Sequence, residues 1–219
     1  GQGERDPGLA LCLARFGGIP AVVVGQDRRT QRSGAPLGPG GLRAARRAMH
    51  LAEELQLPLV TVIDTPGAAL SQTAEEGGLA SEIAHCLADL VTHRGATLSV
   101  LLGEGTGGGA LALLPADRTI AAEHAWLSPL PPEGASAIVH RDTTHAPELA
   151  AQQGVASARL RANGIVDRIV AERPDAATDP AAFCTRMGDA IAQELAALQL
   201  QNPEHRRVLR LERYRRLGR

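Results

Sequence analysis

Five glycines within seven residues follow an apolar run, and this stretch is the part of the chain best suited to chemistry. Residues 97–102 come first, an alanine-rich segment comes last, and the glycines between them are Gly103, Gly105, Gly107, Gly108 and Gly109. This order predicts a buried strand, a tight loop and the start of a helix. Because the first N–H groups of a helix have no partner within it, those of Gly108, Gly109 and Ala110 are candidates to stabilise a developing oxyanion.

Two other interpretations of the glycine loop compete with an oxyanion site. The glycines can serve only to let a strand and a helix pack closely. Gly103-x-Gly105-x-x-Gly108, with Glu123 about twenty residues further on, also fits the dinucleotide-binding fingerprint. Against that fingerprint, residues 109–114 are all that remain before Pro115, which is too short for an ordinary βαβ crossover helix.

Composition narrows the function classes. The 219 residues carry a net charge of −1, and all 23 basic residues are arginine, so the charge gives no support for nucleic-acid binding. Aromatic residues make up 2% of the chain, which predicts an aliphatic core and no stacking platform. No apolar run approaches the roughly 20 residues of a membrane span. Cys12, Cys86 and Cys184 are too scattered for a zinc pair, and they fit a reducing cytoplasm, with Cys86 a buried thiol.

Strand and helix patterns alternate, which indicates an α/β fold with a parallel sheet. Predicted strands cover residues 18–25, 57–63, 97–102, 117–123, 125–127 and 165–170. Predicted helices cover residues 9–16, 42–55, 78–93, 135–139, 147–153, 157–162, 181–200 and 203–216. Because parallel strands end at one edge of a sheet, the loop at Gly67 and the glycine-rich loop are expected on the same side.

Three further segments carry weaker signals. Residues 30–41, rich in Gly and Pro, are expected to form a mobile surface loop. Arg28 and Arg29 follow a strand and are expected to be exposed rather than bound to an anion. The arginine-rich helix 203–216 is expected to be a solvated terminal helix, with a partner-binding basic face as the alternative.

The seven histidines are scattered and build no H-E-x-x-H motif, so backbone N–H groups are expected to carry much of any chemistry.

An ordered set of segments resembles the carboxyltransferase alpha subunit of bacterial acetyl-CoA carboxylase. The resemblance covers about residues 16–170, and the set is specific although the glycine loop alone is not. The matching segments are Val24-Gly-Gln-Asp-Arg-Arg29, Leu57-Pro-Leu-Val-Thr-Val-Ile-Asp-Thr-Pro-Gly-Ala68, Ala74-Glu-Glu76, Gly103-Glu-Gly-Thr-Gly-Gly-Gly-Ala-Leu-Ala112, Pro132-Glu-Gly134 and Gly164-Ile-Val-Asp167.

The resemblance implies a crotonase-like (ClpP/crotonase) superhelix of ββα units with peripheral C-terminal helices. It implies a single alpha-type domain over residues 1–219, with its core at about 16–170 and a C-terminal helical region at 175–219. The implied activity is transfer of carboxylate from carboxybiotin, held on a biotin carboxyl carrier protein, to acetyl-CoA or a related acyl thioester, which gives malonyl-CoA. Neither a metal nor a side-chain base is implied, because biotin freed of CO2 takes the α-proton.

The resemblance also implies where the site lies. In that family the site is shared with a homologous beta-type subunit, which holds most of the acyl-CoA. By the motif match, the N–H groups of Gly109 and Ala110 hold the biotin ureido oxygen. The residues expected to contact substrate are Gly67, Ala68, Gly107, Gly108 and Gly134.

One departure and two alternatives accompany the resemblance. Ala69-Leu-Ser71 stands where the family has an aromatic residue followed by Pro-Gly, which rebuilds one wall of the cleft. The chain lacks the longer N-terminal helical region of a separate alpha subunit and looks more like the second half of a fused or trimmed carboxyltransferase. The alternatives are a biotin-independent decarboxylase of malonyl-CoA or malonyl-carrier protein on the same fold, and a non-catalytic partner subunit.

Overall fold

In the computed structural model, which describes residues 6–215, seven strands form one mixed sheet. The order across the sheet is β1-β2-β3-β4-β5-β7, and β6 pairs with the end of β4. The β1–β2 pair is antiparallel and the other pairs are parallel. The strands are β1 (Leu9–Phe16), β2 (Ile19–Gln26), β3 (Leu59–Thr65), β4 (Thr97–Thr106), β5 (Arg118–Ala122), β6 (Trp126–Ser128) and β7 (Arg168–Val170).

Ten helices connect and cover these strands within the described residues. They are α1 (Arg28–Arg32), α2 (Pro39–Glu54), α3 (Gln72–Glu76), α4 (Leu79–Thr92), α5 (Gly107–Leu111), α6 (Pro132–His140), α7 (Ala146–Gln153), α8 (Ser157–Ala162), α9 (Pro180–Gln199) and α10 (Pro203–Arg215). α2 packs on β2 and α4, while α9 reaches strands from β1 to β7. None of the helices in residues 6–215 combines the length and apolar content that crossing a membrane requires.

The core is aliphatic, as the composition predicts. Its fully buried side chains include Leu42, Leu59, Ile63, Leu98 and Ile120, which come from the central strands and α2. The C-terminal helix α9 belongs to the same cluster through a further set of buried residues, Phe183, Met187, Ile191 and Leu195. The expected C-terminal helices are therefore present, and the first of them helps to cover the sheet.

The prediction of a helix over Leu9–Phe16 is wrong, because this segment is strand β1. β1 forms a hairpin with β2 in which Phe16 pairs with Ile19 across a two-residue turn. Gly17 and Gly18 both have positive φ, 55° and 85°, which is the backbone that a tight hairpin turn requires. The Gly-Gly pair was thus the signal for a hairpin.

The prediction of a mobile loop over residues 30–41 is also wrong at both ends. The segment begins inside α1, whose N-cap Asp27 accepts hydrogen bonds from the N–H groups of Arg29 and Thr30. α2 starts at Pro39, in the first helical turn, where proline is favoured. Between the two helices Leu37 is fully buried and its carbonyl accepts a hydrogen bond from the Ala69 N–H.

The arginine-rich helix α10 is anchored to the core, so the expectation of a solvated helix is wrong for two of its residues. Arg210 is 1% exposed, and its Nε donates to Asp117 Oδ1 at 2.8 Å. Its remaining N–H groups donate to the carbonyl oxygens of Leu90, His93 and Gly95.

Arg206 is also buried, with its Nε 3.0 Å from Asp117 Oδ2. The carboxylate of Asp117, the residue before β5, thus pairs with two guanidinium groups of α10.

Candidate functional site

Two glycine-containing loops meet at the carboxyl ends of β3 and β4. Gly67 and Ala68 follow β3, and Gly109 and Ala110 lie in α5 directly after β4. A Cβ added at Gly109 would lie 3.0 Å from the Ala68 nitrogen and 3.1 Å from the Gly67 carbonyl carbon. The two backbones are therefore in contact, and glycine at position 109 permits it. This confirms that the two loops emerge on the same side of the sheet.

The strand runs further into the glycine stretch than predicted. β4 ends at Thr106, so Gly103 and Gly105 are strand residues, and Gly105 pairs with Thr65 of β3. Gly107 then takes φ +60°, which turns the chain sharply into α5. The side chain of the N-cap residue Thr106 makes no capping hydrogen bond.

α5 is five residues long, which agrees with the expectation that this helix is too short for an ordinary βαβ crossover. With Thr106 as the N-cap residue, Gly107, Gly108 and Gly109 are the first three helical residues, whose N–H groups have no partner within the helix. Ala110 is fully buried in the single chain, and Gly108 lies against the side chain of Ile83.

Buried polar side chains brace both loops, and the sequence patterns did not reveal them. Gln26 Nε2 donates to the Gly109 carbonyl oxygen at 2.7 Å. Thr65 Oγ1 accepts from the Gly67 N–H at 3.1 Å and donates to Gln31 Oε1 at 2.6 Å. The available signal was the polar residue that ends each apolar strand, Gln26 for β2 and Thr65 for β3.

A charged cluster lies beside the same strand ends. Arg28 Nε is 3.2 Å from Asp64 Oδ1, and Arg32 donates to Glu104 Oε2 at 2.6 Å. Burial raises the pKa of Asp64, while the Glu104 N–H and Arg28 act in the opposite direction. Arg28 is thus partly exposed, as expected, but it ties α1 to β3 through this ion pair.

Gly134 lies in the first turn of α6, in the segment that follows β6. A Cβ added at Gly107 would lie 3.6 Å from the Pro129 carbonyl oxygen, so this segment borders the glycine loop. The nearest neighbours of Gly134 itself are the side chains of Leu130 and Pro131. The structure therefore places Gly134 in the adjoining segment, while Gly109 contacts Gly67 and Ala68 across the two loops, and Gly107, Gly108 and Ala110 lie next to Gly109 in α5.

The altered segment at residues 69–71 changes the surface next to the loops. Ala69 is buried, and Ser71 caps α3 by accepting a hydrogen bond from the Ala74 N–H. Leu70 between them is 96% exposed. An unusually exposed leucine therefore stands beside the Gly67–Ala68 peptide.

Within residues 6–215, one group of side chains has the spacing of metal ligands. His124, Glu172 and Asp175 place one ligand atom each within 4.8 Å of the others. They lie after β5 and after β7, whereas the two glycine loops follow β3 and β4. The absence of a metal from the reaction stays a prediction.

Comparison with known proteins identifies the family. Residues 2–218 match the model of the acetyl-coenzyme A carboxylase carboxyltransferase-like family. The chain belongs to this family. It is 60% identical over 217 residues to a probable biotin-dependent acyl-coenzyme A carboxylase beta3 subunit of Mycobacterium tuberculosis, a match that covers 99% of the chain and 44% of that relative. It is 35% identical over 223 residues to the acetyl-coenzyme A carboxylase carboxyl transferase subunit alpha of Sinorhizobium fredii, covering 98% of the chain and 70% of that subunit.

Solved structures support the crotonase-like fold predicted from the resemblance. A Pseudomonas malonate decarboxylase hetero-dimer superposes with a TM-score of 0.75 at 19% identity, covering 96% of this chain and 92% of that chain. Transcarboxylase 12S with methylmalonyl-coenzyme A and methylmalonic acid bound gives a TM-score of 0.74 at 22% identity, covering 89% of this chain and 37% of that chain. The chain spans less than half of the mycobacterial relative's length.

Proposed function

We propose that this chain is the alpha-type half of a biotin-dependent acyl-CoA carboxyltransferase, with residues 1–219 acting as one domain. It moves carboxylate from carboxybiotin on a carrier protein to acetyl-CoA or a related acyl thioester, which yields malonyl-CoA or its analogue. The observation that carries the proposal is the contact of Gly109 with the Gly67–Ala68 peptide at the helix start, in a chain of the carboxyltransferase family.

In this proposal, backbone N–H groups rather than side chains stabilise the charge that develops during the reaction. The N–H groups of Gly109 and Ala110 hold the ureido oxygen of biotin and stabilise the negative charge that it gains as carboxylate leaves. Gly67, Ala68, Gly107 and Gly108 line the cleft, and Gly134 contacts substrate from the adjoining segment. Biotin supplies the carboxylate and afterwards the base for the α-proton, so no side chain here needs to move a proton.

The chain acts with partners. A homologous beta-type subunit supplies the second oxyanion site, for the acyl enolate, and a biotin carboxyl carrier protein delivers carboxybiotin in the cytoplasm. Exposed apolar side chains on the segments proposed to contact substrate support an interface. Leu70 follows the Gly67–Ala68 peptide and is 96% exposed, while Ile138 and Val139 of α6, the helix that carries Gly134, are 72% and 64% exposed. Large apolar groups left in water are groups that a partner protein would bury on assembly.

The alternative with its own supporting observation is a biotin-independent decarboxylase of a malonyl thioester. Ala69, Leu70 and Ser71 stand where the carboxyltransferase alpha subunits that the chain resembles have an aromatic residue and a rigid Pro-Gly turn in the cleft wall. The same oxyanion-binding peptides serve loss of CO2 as well as its transfer, because both pass through an enolate.

The deciding experiment assembles the chain with its beta-type partner and supplies malonyl-CoA or malonyl-carrier protein. Free biotin or biotinylated carrier is varied, and avidin is added in a parallel reaction. Carboxyl transfer that follows the biotin concentration and stops with avidin supports the proposal. Loss of CO2 that ignores both establishes the decarboxylase, and the absence of both reactions favours a non-catalytic subunit.

A further inference from the structure

The side chain of Gln26 reaches the glycine loop from a distant strand. Gln26 is the last residue of β2, and 83 positions separate it from Gly109. Its Nε2 donates to the Gly109 carbonyl oxygen at 2.7 Å, and the side chain is 93% buried by its neighbours, with 7% exposure. This is a short hydrogen bond in a water-poor environment, where it is electrostatically strong.

The Gly109 carbonyl is available to Gln26 because α5 ends early. In a longer α-helix this carbonyl would accept from the N–H of Leu113. Instead the Leu113 N–H bonds to Ala110 and the Ala112 N–H bonds to Gly108. The turn that ends the helix therefore skips the Gly109 oxygen, and the glutamine amide takes the place of the missing main-chain donor.

The Gly109 carbonyl and the Ala110 N–H are the two ends of one planar peptide group. A hydrogen bond at the oxygen fixes the plane of that peptide and so fixes the direction of its N–H. It also polarises the peptide, which makes the N–H a stronger donor. Gln26 thus acts on a proposed oxyanion donor from the opposite side of the same peptide.

Within residues 6–215, the other end of the Gln26 amide adds no hydrogen bond that would stabilise the fold. Gln26 Oε1 is buried and has no hydrogen-bond partner among the described residues. A buried acceptor without a partner is destabilising, and an apolar side chain of the same length would avoid that cost. The reversed amide is excluded, because it would bring two oxygens within 2.7 Å of each other.

We propose that Gln26 is a positioning residue that orients and polarises the Gly109–Ala110 peptide for oxyanion binding. The proposal rests on the proposed function, since that function makes the Ala110 N–H a donor to substrate. Gln26 itself acts through the peptide.

The test compares three variants in the complete assembly. Gln26→Met keeps the length of the side chain but removes the donor. Gln26→Glu carries a buried carboxyl that donates to the Gly109 oxygen when neutral and repels it when ionised. Thr61→Val is the matched control, because Thr61 is also buried and donates at 2.7 Å to a carbonyl after α5, that of Leu113, outside the oxyanion peptide.

We expect Gln26→Met to lower kcat by about tenfold or more, short of the about 10²–10³-fold typical for loss of an oxyanion donor itself. KM values and the melting temperature should stay near those of the wild type, whereas Thr61→Val should lose stability and keep kcat. For Gln26→Glu, kcat relative to wild type should rise as the pH falls from 8 to 6. A structural role alone would not produce that pH profile.

A wild-type kcat in Gln26→Met, or a Gln26→Glu variant whose relative kcat ignores pH, overturns the proposal. Failure of the proposed function is seen separately, in the wild-type assembly. Loss of CO2 that ignores biotin replaces carboxyl transfer by decarboxylation and leaves kcat as the readout for Gln26, whereas the absence of both reactions removes that readout. When both reactions are absent, the amide resonance of Ala110, followed by NMR in the isolated chain, still reports on the peptide. It should shift in Gln26→Met and stay in Thr61→Val, and an unshifted resonance in Gln26→Met contradicts the positioning role.

Discussion

At the proposed site, Gly109 meets the Gly67–Ala68 peptide through its backbone, with no side chain between them. Gly109→Ala would place its Cβ 3.0 Å from the Ala68 nitrogen, so one of the two loops must yield by a few tenths of an ångström. Misplacement of about 1 Å can cost about 10²-fold in rate, and we expect a decrease in kcat of about tenfold or more. Steady-state kinetics of the assembled enzyme measures it.

Gly188→Ala is the control for this substitution. Gly188 lies inside α9, and a Cβ there would meet no heavy atom within 4 Å. Since alanine is a better helix former than glycine, the control should gain about 0.5–1 kcal/mol in the free energy of unfolding and keep its activity. Equal kcat values for the two variants would show that the contact between the loops does not matter to the reaction.

The cysteines give a second prediction at the residue scale. Burial raises the pKa of the Cys86 thiol to about 12, whereas Cys12 and Cys184 are exposed. Because the thiolate is the reactive form, Cys86 should not react with a disulfide reagent at pH 8 while the protein is folded. We expect two fast thiols in the native isolated chain and three in denaturant. Three fast thiols in the native chain would contradict the buried placement.

At the residue scale, the parts of the candidate site that depend on the backbone were predictable from the sequence. Glycine spacing located Gly107 and Gly109, because no other residue allows a positive φ or a contact near 3 Å at such low cost. The braces Gln26 and Thr65 were not predictable, because each looks like an ordinary polar strand end. Their partners are set by the register of β2 and β3 against the loops, which only the folded structure defines.

At the scale of elements, α10 is held by a buried ion pair. Asp117→Asn would leave Arg206 and Arg210 buried without their carboxylate. Breaking one side of a buried pair costs about 3–5 kcal/mol, so urea denaturation should show a loss of that size. Glu204→Gln, which removes an exposed pair on the same helix, is the control and should change stability by less than about 1 kcal/mol. Similar losses in both variants would show that the buried pair does not anchor the helix.

His93, at the end of α4, links stability to pH. Its Nδ1 accepts from the Gly95 N–H at 3.0 Å, which requires the neutral ring. Burial lowers the pKa of His93 below its ordinary 6.5, and Arg210 adds to the shift while Glu53 opposes it. The unfolded chain therefore binds the proton more tightly, and the stability due to His93 is full above about pH 6.5 and falls below it. The stability gap between wild type and His93→Asn should narrow from pH 7 to pH 5, as measured by urea denaturation. A constant gap would contradict this assignment.

Elements with long apolar or periodic patterns were predicted well, and those set by tertiary contacts were not. β3, β4 and α4 follow apolar sequence of the expected length. β1 is a half-exposed edge strand, so its apolar residues gave no clear period and its hairpin turn decided the structure. The burial of Arg210 depends on Asp117, 93 positions away, and a helix rich in arginine carries no sign of that partner.

At the scale of the molecule, the proposed site and the anchor of α10 lie at opposite ends of the sheet. The glycine loops follow the carboxyl ends of β3 and β4, whereas Asp117 precedes β5 and bonds to Thr97 at the start of β4. Leu200, at the end of α9, also belongs to the amino end, because its neighbours Gln199 and Gln201 line a cavity with Pro58 and Ala96. Because the two ends are separate, an exposed residue at the amino end can serve as a control for an exposed residue beside the proposed site.

Leu70 and Leu200 form a matched pair for testing where the partner binds. They are 96% and 90% exposed, so replacing either by arginine should leave the melting temperature of the isolated chain unchanged. If the beta-type subunit covers the carboxyl end of the sheet, Leu70→Arg buries an unpaired charge in the complex and should raise the Kd about tenfold or more. Leu200→Arg should bind like the wild type. Equal binding by both variants, measured by sedimentation or calorimetry, would place the partner elsewhere and remove the exposed leucine as support for a shared site.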